Sequence, residues 1–258
     1  MDKFLYGCIY LSAAIAVSVL LMIICYVTVR GIGSVSLEFL TTVTSARKGT
    51  VGIAGNIVNT LYIIVITLVI ATPIGVGSAI YLNEYAKPGK IVRIIEFTTE
   101  TLSGIPSIIF GLFGSVFFGT TLKLGYSLLT GALTLSLMIL PLITRNTQEA
   151  LRTVPDSYRS GALGMGATKW HMIRTILLPS AMPGILTGVI LAIGRIVGES
   201  AALLFTAGSG YYLPKNFLGK VLESGGTLTI QLYLSVPYVC AFILMGVDLE
   251  GVHSKAFF

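Results

Sequence analysis

Long apolar stretches separated by short polar breaks run through this 258-residue chain. A helix needs about 20 apolar residues to cross a bilayer core of about 30 Å. Stretches of that length lie at about 8–29, 57–82, 98–119, 125–144 and 183–207, and a shorter one with Gln231 and Pro237 lies at 227–247. Because they are continuously apolar, unlike the alternating strands of a barrel, they predict helices. We therefore predict an all-α polytopic membrane bundle of about six transmembrane helices, five of them clear and the sixth short or irregular.

Composition agrees with this pattern. Hydrophobic residues make up 54% of the chain and charged residues 11%, and the mean hydropathy is +0.89, whereas soluble domains contain about 25% charged residues. The first 30 residues run apolar well beyond the core of a signal peptide, so they predict an uncleaved anchor. The three cysteines, Cys8, Cys25 and Cys240, show no paired or Cys/His spacing, so no metal site is predicted.

The chain has a net charge of +6, and the distribution of its lysines and arginines indicates its membrane topology. Lysines and arginines lie at the ends of apolar segments and do not form one basic face, so we predict no nucleic-acid partner. They are denser on the side that holds the amino terminus, the 83–93 and 145–182 loops and the carboxy terminus. The positive-inside rule makes that side cytoplasmic, which predicts a multi-pass protein with a cytoplasmic amino terminus.

The segment 145–182 is the one long polar interruption. Pro155 and Asp156 suit the first turn of a helix that ends near residue 163. Gly164 and Gly166 predict a sharp corner before a second helix at about 167–178, which should place Trp170, Ile173 and Leu177 on one face and end at Pro179 and Pro183. Long structured loops are usually functional, so we expect a docking surface. The alternative is a solvated connector that folds against its own bundle.

Two charges lie within the fifth apolar stretch. Arg195 and Glu199 are four residues apart, which places them on one face of a continuous helix. A charge at the bilayer centre must meet a partner or a cavity. One interpretation is a mutual ion pair that holds two helices together. The other is a substrate pathway in which Arg195 attracts an oxyanion while Glu199 holds the guanidinium in place.

The start of the third stretch combines charges with residues that break helices. Ser103, Gly104, Pro106 and Ser107 predict either a kink that lines a pathway or ordinary close packing of helices. Glu96 and Glu100 precede them and are predicted to be interfacial. The chain has no GxxxxGK[ST] loop for ATP and no nucleophile beside a base, which argues against a membrane-embedded enzyme. A non-transporting membrane scaffold is a third alternative.

The polar segment also carries a recognisable spacing. Ser160-Gly161-Ala162 is followed by Gly166 after three residues and by Ile176-Leu177-Leu178-Pro179 after nine more. This pattern resembles the EAA-x3-G-x9-I-x-L-P signature of the permease subunits of ABC importers, with Ser160 in the acidic position. The resemblance implies a type I ABC-importer permease fold whose 155–179 loop contacts an ATPase through Ser160, Gly161, Ala162, Gly166, Ile176, Leu178 and Pro179.

Four further segments resemble the PstA-type permease subunits of phosphate importers: YLNEYA at 81–86, GIPSIIFGLFG at 104–114, LPLITRNTQEALRTVP at 140–155 and GRIVGESAALLFTAG at 194–208. The resemblance implies a single permease domain over 1–258 in a bacterial inner membrane, with inorganic phosphate as cargo. It also implies a PstC-like permease partner, two ATP-binding subunits and an extracytoplasmic phosphate-binding protein. The chain itself would bind no cofactor, because ATP and Mg²⁺ are used by the partner ATPase.

Two points are less regular. Molybdate or sulfate is an alternative cargo, because an arginine such as Arg195 attracts any oxyanion. The end at about 236–258 departs from the family pattern, since Asp248, Glu250 and His253 stand where relatives have an apolar span.

Overall fold

The computed structural model describes residues 2–45, 50–87, 89–210, 213 and 219–235. In chain order, its helices are α1 (Asp2–Gly31), α2 (Leu37–Thr41), α3 (Ala54–Ile80), α4 (Lys90–Ser103), α5 (Ser107–Gly114), α6 (Leu128–Arg152), α7 (Asp156–Gly164), α8 (Lys169–Met172), α9 (Leu178–Gly198) and α10 (Ala201–Thr206). Three π-helical segments extend them: Tyr81–Tyr85 after α3, Ser115–Thr121 after α5 and Ile173–Leu177 between α8 and α9. Short 3-10 turns lie at Ile32–Ser34 and Gly219–Leu222, and a last helix is described over 228–235.

A small antiparallel ribbon precedes α3. Its strands are β1 (Val43–Ser45) and β2 (Thr50–Ile53), with Val43 opposite Ile53. The sequence analysis did not predict these strands, which are too short to show a clear alternation of polar and apolar positions. The all-α class is confirmed, since the rest of the regular structure in the described part of the chain is helical.

The membrane bundle is confirmed with one change. Four helical segments are long and apolar enough to cross a membrane: Leu5–Gly31, Ala54–Tyr85, Leu128–Arg152 and Lys169–Gly198. The third predicted span, at 98–119, is not one straight helix, because α4 meets α5 and its π-helical extension at an angle of 100°. The greater part of the predicted sixth span at 227–247 lies outside the described residues.

The boundaries of the fifth predicted span were wrong at both ends. Pro179 and Pro183 do not end the helix, which runs from α8 through the π-helical segment into α9. The π-helical turn places Pro179 near the first position of α9, where a missing backbone N–H costs little. At the other end, α9 stops at Gly198, so the predicted 183–207 span divides between α9 and α10.

Small residues allow α3, α6 and α9 to pack closely. A Cβ added at Gly75 would lie 2.7 Å from the side chain of Ile143, and one at Gly184 would lie 2.6 Å from Ala150. Gly111 and Gly114 are similarly crowded, whereas Gly77 has open space around it. The absence of a side chain at Gly75, Gly111, Gly114 and Gly184 therefore permits the close approach of these helices. The described side chains of α1, by contrast, are exposed along the whole helix.

A second apolar cluster fixes the α7–α8 corner to the adjoining ends of the long helices. Its buried members come from α6, α7, α8 and the adjoining segments and include Leu151, Ala162, Met172, Ile173 and Leu177. This cluster is separate from the main core between α3, α6 and α9. The corner is thus packed onto the bundle and does not hang from it as a free loop.

Candidate functional site

The break between α4 and α5 lies where the sequence predicted a kink. Gly104 caps the C-terminus of α4, and Pro106 is extended, with φ −57° and ψ 137°, at the start of α5. A proline has no N–H to continue the helical ladder and disfavours a helical conformation in the residue before it. The helix is thus broken at the predicted position, and the part of this break in a pathway stays a prediction. Of the predicted kink residues, Ser103 lines the cavity described next, and Gly104, Pro106 and Ser107 do not.

A polar cavity of about 400 Å³ lies between α4, α6 and α9. Uncharged polar groups on its wall come from Thr99, Ser103, Asn146 and Gln148. Six charged side chains also line it, three acidic and three basic: Glu96, Glu100, Arg145, Glu149, Arg152 and Arg195. A cavity with charges of both signs in an otherwise apolar bundle is the strongest candidate for a substrate pathway.

Ion pairs across the cavity connect α4 to α6. Glu100 Oε1 lies 3.1 Å from Arg145 Nη1, and Arg145 Nε lies 3.5 Å from Glu149 Oε1. Glu96 Oε1 lies 3.5 Å from Arg152 Nη2. The sequence analysis treated Glu96 and Glu100 as an interfacial pair of like charges and missed their arginine partners. The partners lie 56 and 45 residues away, so no local spacing could have indicated them.

Arg195 differs from the other two arginines of the cavity. Its side chain is half-buried, lines the cavity and makes no ion pair or hydrogen bond within the described part of the chain. Arg145 and Arg152 are each neutralised by at least one carboxylate. Of the three arginines that line this cavity, Arg195 is therefore the one whose charge no described carboxylate offsets.

The predicted partnership of Arg195 with Glu199 is wrong. Helix α9 ends at Gly198, and Glu199 is extended, with φ −82° and ψ 122°. Glu199 Oε1 accepts a hydrogen bond from the backbone N–H of Ala202 at 3.1 Å, and its carbonyl oxygen accepts one from Thr229 Oγ1 at 2.9 Å. The four-residue spacing fails because the helix stops before the second residue. Glu199 thus supports the start of α10.

Residues 156–172 have the predicted helix-corner-helix form, and we call them the coupling corner after the contact with an ATPase that the resemblance implies. Gly166 has φ +84°, a left-handed conformation that favours glycine. Ser160 and Gly161 are exposed on α7, whereas Ala162 is buried in the apolar cluster beneath it. The Ser160 hydroxyl donates to the Asp156 carbonyl at 3.1 Å, within its own helix. The contacts of Ser160 in the described part of the chain therefore do not require an acidic side chain.

Residues on the second half of the signature are less uniform. Ile176 and Leu178 are half-buried and pack against the apolar cluster, and Pro179 is exposed. Trp170 was predicted on the same face as Ile173 and Leu177, but it is 61% exposed while those two are buried. The π-helical turn changes the angular spacing after residue 172, so the α-helical period placed Trp170 on the wrong face.

Arg159 is a site residue that the sequence analysis missed. Its Nη2 lies 3.1 Å from Glu84 Oε1 and 2.9 Å from the Leu151 carbonyl oxygen. Its Nη1 donates to the Val154 carbonyl at 2.8 Å and to Asp156 Oδ1 at 3.0 Å. In the sequence, Arg159 lies within the basic 145–182 loop and Glu84 within the YLNEYA segment, and no local spacing connects them.

Comparison with known proteins agrees with this architecture. The family described as "Binding-protein-dependent transport system inner membrane component" matches residues 71–248. A probable ABC transporter permease of Bacillus subtilis, YqgI, is 41% identical over 80% of this chain and 70% of its own length. The phosphate transport system permease proteins PstA of Xylella fastidiosa and Haemophilus influenzae are 33% and 34% identical over 81% and 83% of the chain, and 72% and 76% of their own lengths.

Among solved structures, the fold resembles an inward-facing MetNI methionine ABC transporter. The TM-score is 0.50 at 19% sequence identity, over 80% of this chain and 94% of that one. At this identity the likeness concerns the fold alone, and it agrees with the predicted type I permease architecture. The family match covers well over half of the chain, and the sequence relatives cover more. The chain therefore belongs to the family of inner-membrane components of binding-protein-dependent transport systems.

Proposed function

We propose that this chain is the membrane-spanning PstA-like permease subunit of an ATP-driven phosphate importer. The observation that carries the proposal is the similarity, over about four fifths of the chain, to proteins named as phosphate transport permeases. The coupling signature over 160–179 and the charged cavity between α4, α6 and α9 support the same function.

In this proposal Arg195 is the residue that attracts the oxyanion. Its charge is not offset by a described carboxylate, and it lines the cavity together with donor groups from Asn146 and Gln148. A carrier must bind its cargo weakly enough to release it, and one free arginine among neutralised ones meets that requirement. The permease itself catalyses no reaction and binds no cofactor, and ATP with Mg²⁺ is used by the partner subunits.

The remaining subunits follow from the same proposal. A PstC-like permease completes the pathway, two ATP-binding subunits dock on the coupling corners, and an extracytoplasmic binding protein delivers phosphate. The single permease domain lies in the bacterial inner membrane with its amino terminus and coupling corner in the cytoplasm. The lysine and arginine distribution supports this orientation.

The experiment is uptake of labelled phosphate by the complete importer in proteoliposomes, with Arg195→Gln compared with Arg195→Lys. We expect Arg195→Gln to reduce uptake at least tenfold, since a lost charge-assisted contact costs about 1.5–3 kcal/mol. Arg195→Lys should keep part of the activity because it retains the charge. Arg93→Gln is the matched control, because Arg93 is exposed on α4 and does not line the cavity.

Uptake by Arg195→Gln at the wild-type rate, in a complex that assembles normally, would remove Arg195 from the pathway. The alternative cargo is another oxyanion, molybdate or sulfate, since the cavity chemistry suits each of them. Uptake of labelled molybdate and labelled sulfate by the same proteoliposomes, measured beside labelled phosphate, separates these candidates. Uptake of labelled molybdate or sulfate with none of labelled phosphate would overturn the assignment of the cargo.

A further inference from the structure

A half-buried arginine, Arg159, joins the coupling corner to a helix that the coupling signature does not include. Arg159 belongs to α7, and Glu84 belongs to the π-helical segment Tyr81–Tyr85 at the end of α3. The two residues lie 75 positions apart in the sequence. Their side chains are only 19% and 5% exposed, so this ion pair is shielded from solvent.

The guanidinium of Arg159 donates to groups on two segments outside its own helix. Nε and Nη2 both donate to Glu84 Oε1, at 3.2 and 3.1 Å. Nη2 also donates to the carbonyl oxygen of Leu151 in the last turn of α6, and Nη1 donates to that of Val154, two residues after α6 ends. A single guanidinium thus connects α7, α6 and the inner end of α3.

The π-helical segment is what presents Glu84 to α7. Its bonding is shown by the Ala86 N–H, which donates to the Tyr81 carbonyl at 2.9 Å, five residues back. One additional residue per turn rotates the following side chains by about 100° relative to a continuous α-helix. The Asn83 amide donates to the same Glu84 oxygen at 2.7 Å and holds the carboxylate in place.

A second contact connects the same two parts of the molecule. Lys169 Nζ, at the start of α8, lies 5.0 Å from the ring centroid of Tyr85. This is a cation–π distance. Both helices of the coupling corner therefore contact the segment Tyr81–Tyr85, one through Glu84 and the other through Tyr85.

We propose that Arg159 and Glu84 are positioning residues that make the inner end of α3 move as one body with the coupling corner. Motion received by α7 then reaches α3 directly through this pair. It also reaches α9, which continues from α8, and α6, which packs against the corner. This gives a role to the YLNEYA segment. The proposal rests on the proposed function, because it assigns the residues that transmit motion from the ATPase.

The first test compares transport with ATP hydrolysis in the complete importer. We expect Glu84→Ala to lower phosphate uptake per ATP hydrolysed about tenfold, within the usual range of coupling between sites, while ATPase subunits still co-purify. Glu84→Gln keeps the shape and one acceptor and should recover part of the ratio. Asp156→Asn is the matched control, because it removes the negative charge beside the same arginine from a side chain that is 97% exposed.

The second test does not depend on the cargo. Nitroxide labels at Ser157→Cys and Tyr81→Cys, both exposed positions, report the separation of α7 and the π-helical segment in a background with the three native cysteines replaced by serine. We expect one narrow distance in the nucleotide-free and ATP-bound complexes. Glu84→Ala should broaden it and make it differ between the two states, and Glu84→Gln should broaden it less.

The two proposals fail in different ways. Absence of phosphate uptake by the wild-type complex would overturn the phosphate assignment, and the label distances would still report the link between α7 and α3. An unchanged uptake ratio and an unchanged distance distribution in Glu84→Ala would overturn the link, whatever anion is transported. A narrow distance that changes equally in wild type and Glu84→Ala would overturn it too.

Discussion

The same two side-chain types, arginine and glutamate, meet at the coupling corner and in the charged cavity under different conditions. At the corner, Arg159 and Glu84 are 19% and 5% exposed, and the guanidinium donates to four acceptors. In the cavity, Arg152 and Glu96 are 63% and 45% exposed and meet through one contact of 3.5 Å. Breaking a buried pair leaves an unpaired buried charge, whereas an exposed pair is replaced by water at little cost.

This difference suits the two regions to different tasks. The half-buried guanidinium of Arg159 donates to four acceptors and holds its helices in one arrangement, as the proposed transmission of motion requires. Exposed pairs on a cavity wall can exchange partners, so α4 can leave α6 without a large loss of free energy. Glu96 and Glu100 both lie on α4, and its described side chains are not fully buried, which agrees with a helix held mainly by such exchangeable contacts.

The largest effect is expected from removal of the half-buried arginine. Arg159→Met should lower the free energy of unfolding by about 3–5 kcal/mol, because the shielded Glu84 carboxylate loses its cationic partner and the carbonyls of Leu151 and Val154 lose the guanidinium. The measurement is SDS-titrated unfolding of the purified chain in detergent micelles. Arg174→Met is the control, because Arg174 is an exposed arginine in the segment that follows α8.

A loss no larger than that of Arg174→Met would contradict the contrast between the two regions. It would mean that water replaces the guanidinium at the corner as easily as it does in the cavity. The double variant Glu84→Gln with Arg159→Met separates the charge from the packing. It should recover part of the loss, since the buried carboxylate is then neutral.

A smaller loss of stability is expected when the positive charge at position 159 is kept but the planar guanidinium with its several N–H donors is removed. Arg159→Lys retains an ammonium for Glu84 but cannot reach the carbonyls of Leu151 and Val154 in the same geometry. We expect about 1–3 kcal/mol, the cost of carbonyls left without a buried donor. The same SDS titration measures it, and a loss equal to that of Arg159→Met would show that charge alone contributes nothing.

The sequence predicted the features that depend on local patterns. The long apolar stretches predicted the membrane bundle, and Gly104 with Pro106 predicted the break between α4 and α5. The corner at Gly166 followed from a residue that tolerates a left-handed conformation. Each of these signals lies within a few residues of the feature that it causes, so a single sequence is sufficient to show it.

Features that depend on contacts between distant segments, or on a change of helix type, were not predictable in this way. The pairing of Arg159 with Glu84 joins segments that only the packed bundle brings together. The exposure of Trp170 reflects a π-helical turn that no residue type announces. The Arg195–Glu199 prediction assumed a continuous helix, and it failed because α9 ends between the two residues.

A still smaller effect should be found for the ion pair on the cavity wall. A double-mutant cycle on Glu96→Gln and Arg152→Gln should give a coupling energy of about 1 kcal/mol or less at low salt, as exposed pairs usually do. Salt at about 1 M, where the screening length falls to about 3 Å, should remove most of it. The cycle is measured by the same SDS titration. A salt-insensitive coupling above 2 kcal/mol would place this pair with the buried one.

The smallest effect is expected within the coupling corner itself. Asp156 contacts Arg159 at 3.0 Å, but its side chain is 97% exposed, and the guanidinium keeps Glu84 and two carbonyls when this partner is lost. Asp156→Asn should therefore move the midpoint of thermal unfolding by less than about 2 °C, a shift that corresponds to a fraction of a kcal/mol. Asparagine also suits the start of a helix, so the N-terminus of α7 is preserved. A loss of stability as large as that of Arg159→Lys would mean that location in the corner, and not burial, sets the strength of these contacts. The contrast between corner and cavity would then need a different physical cause.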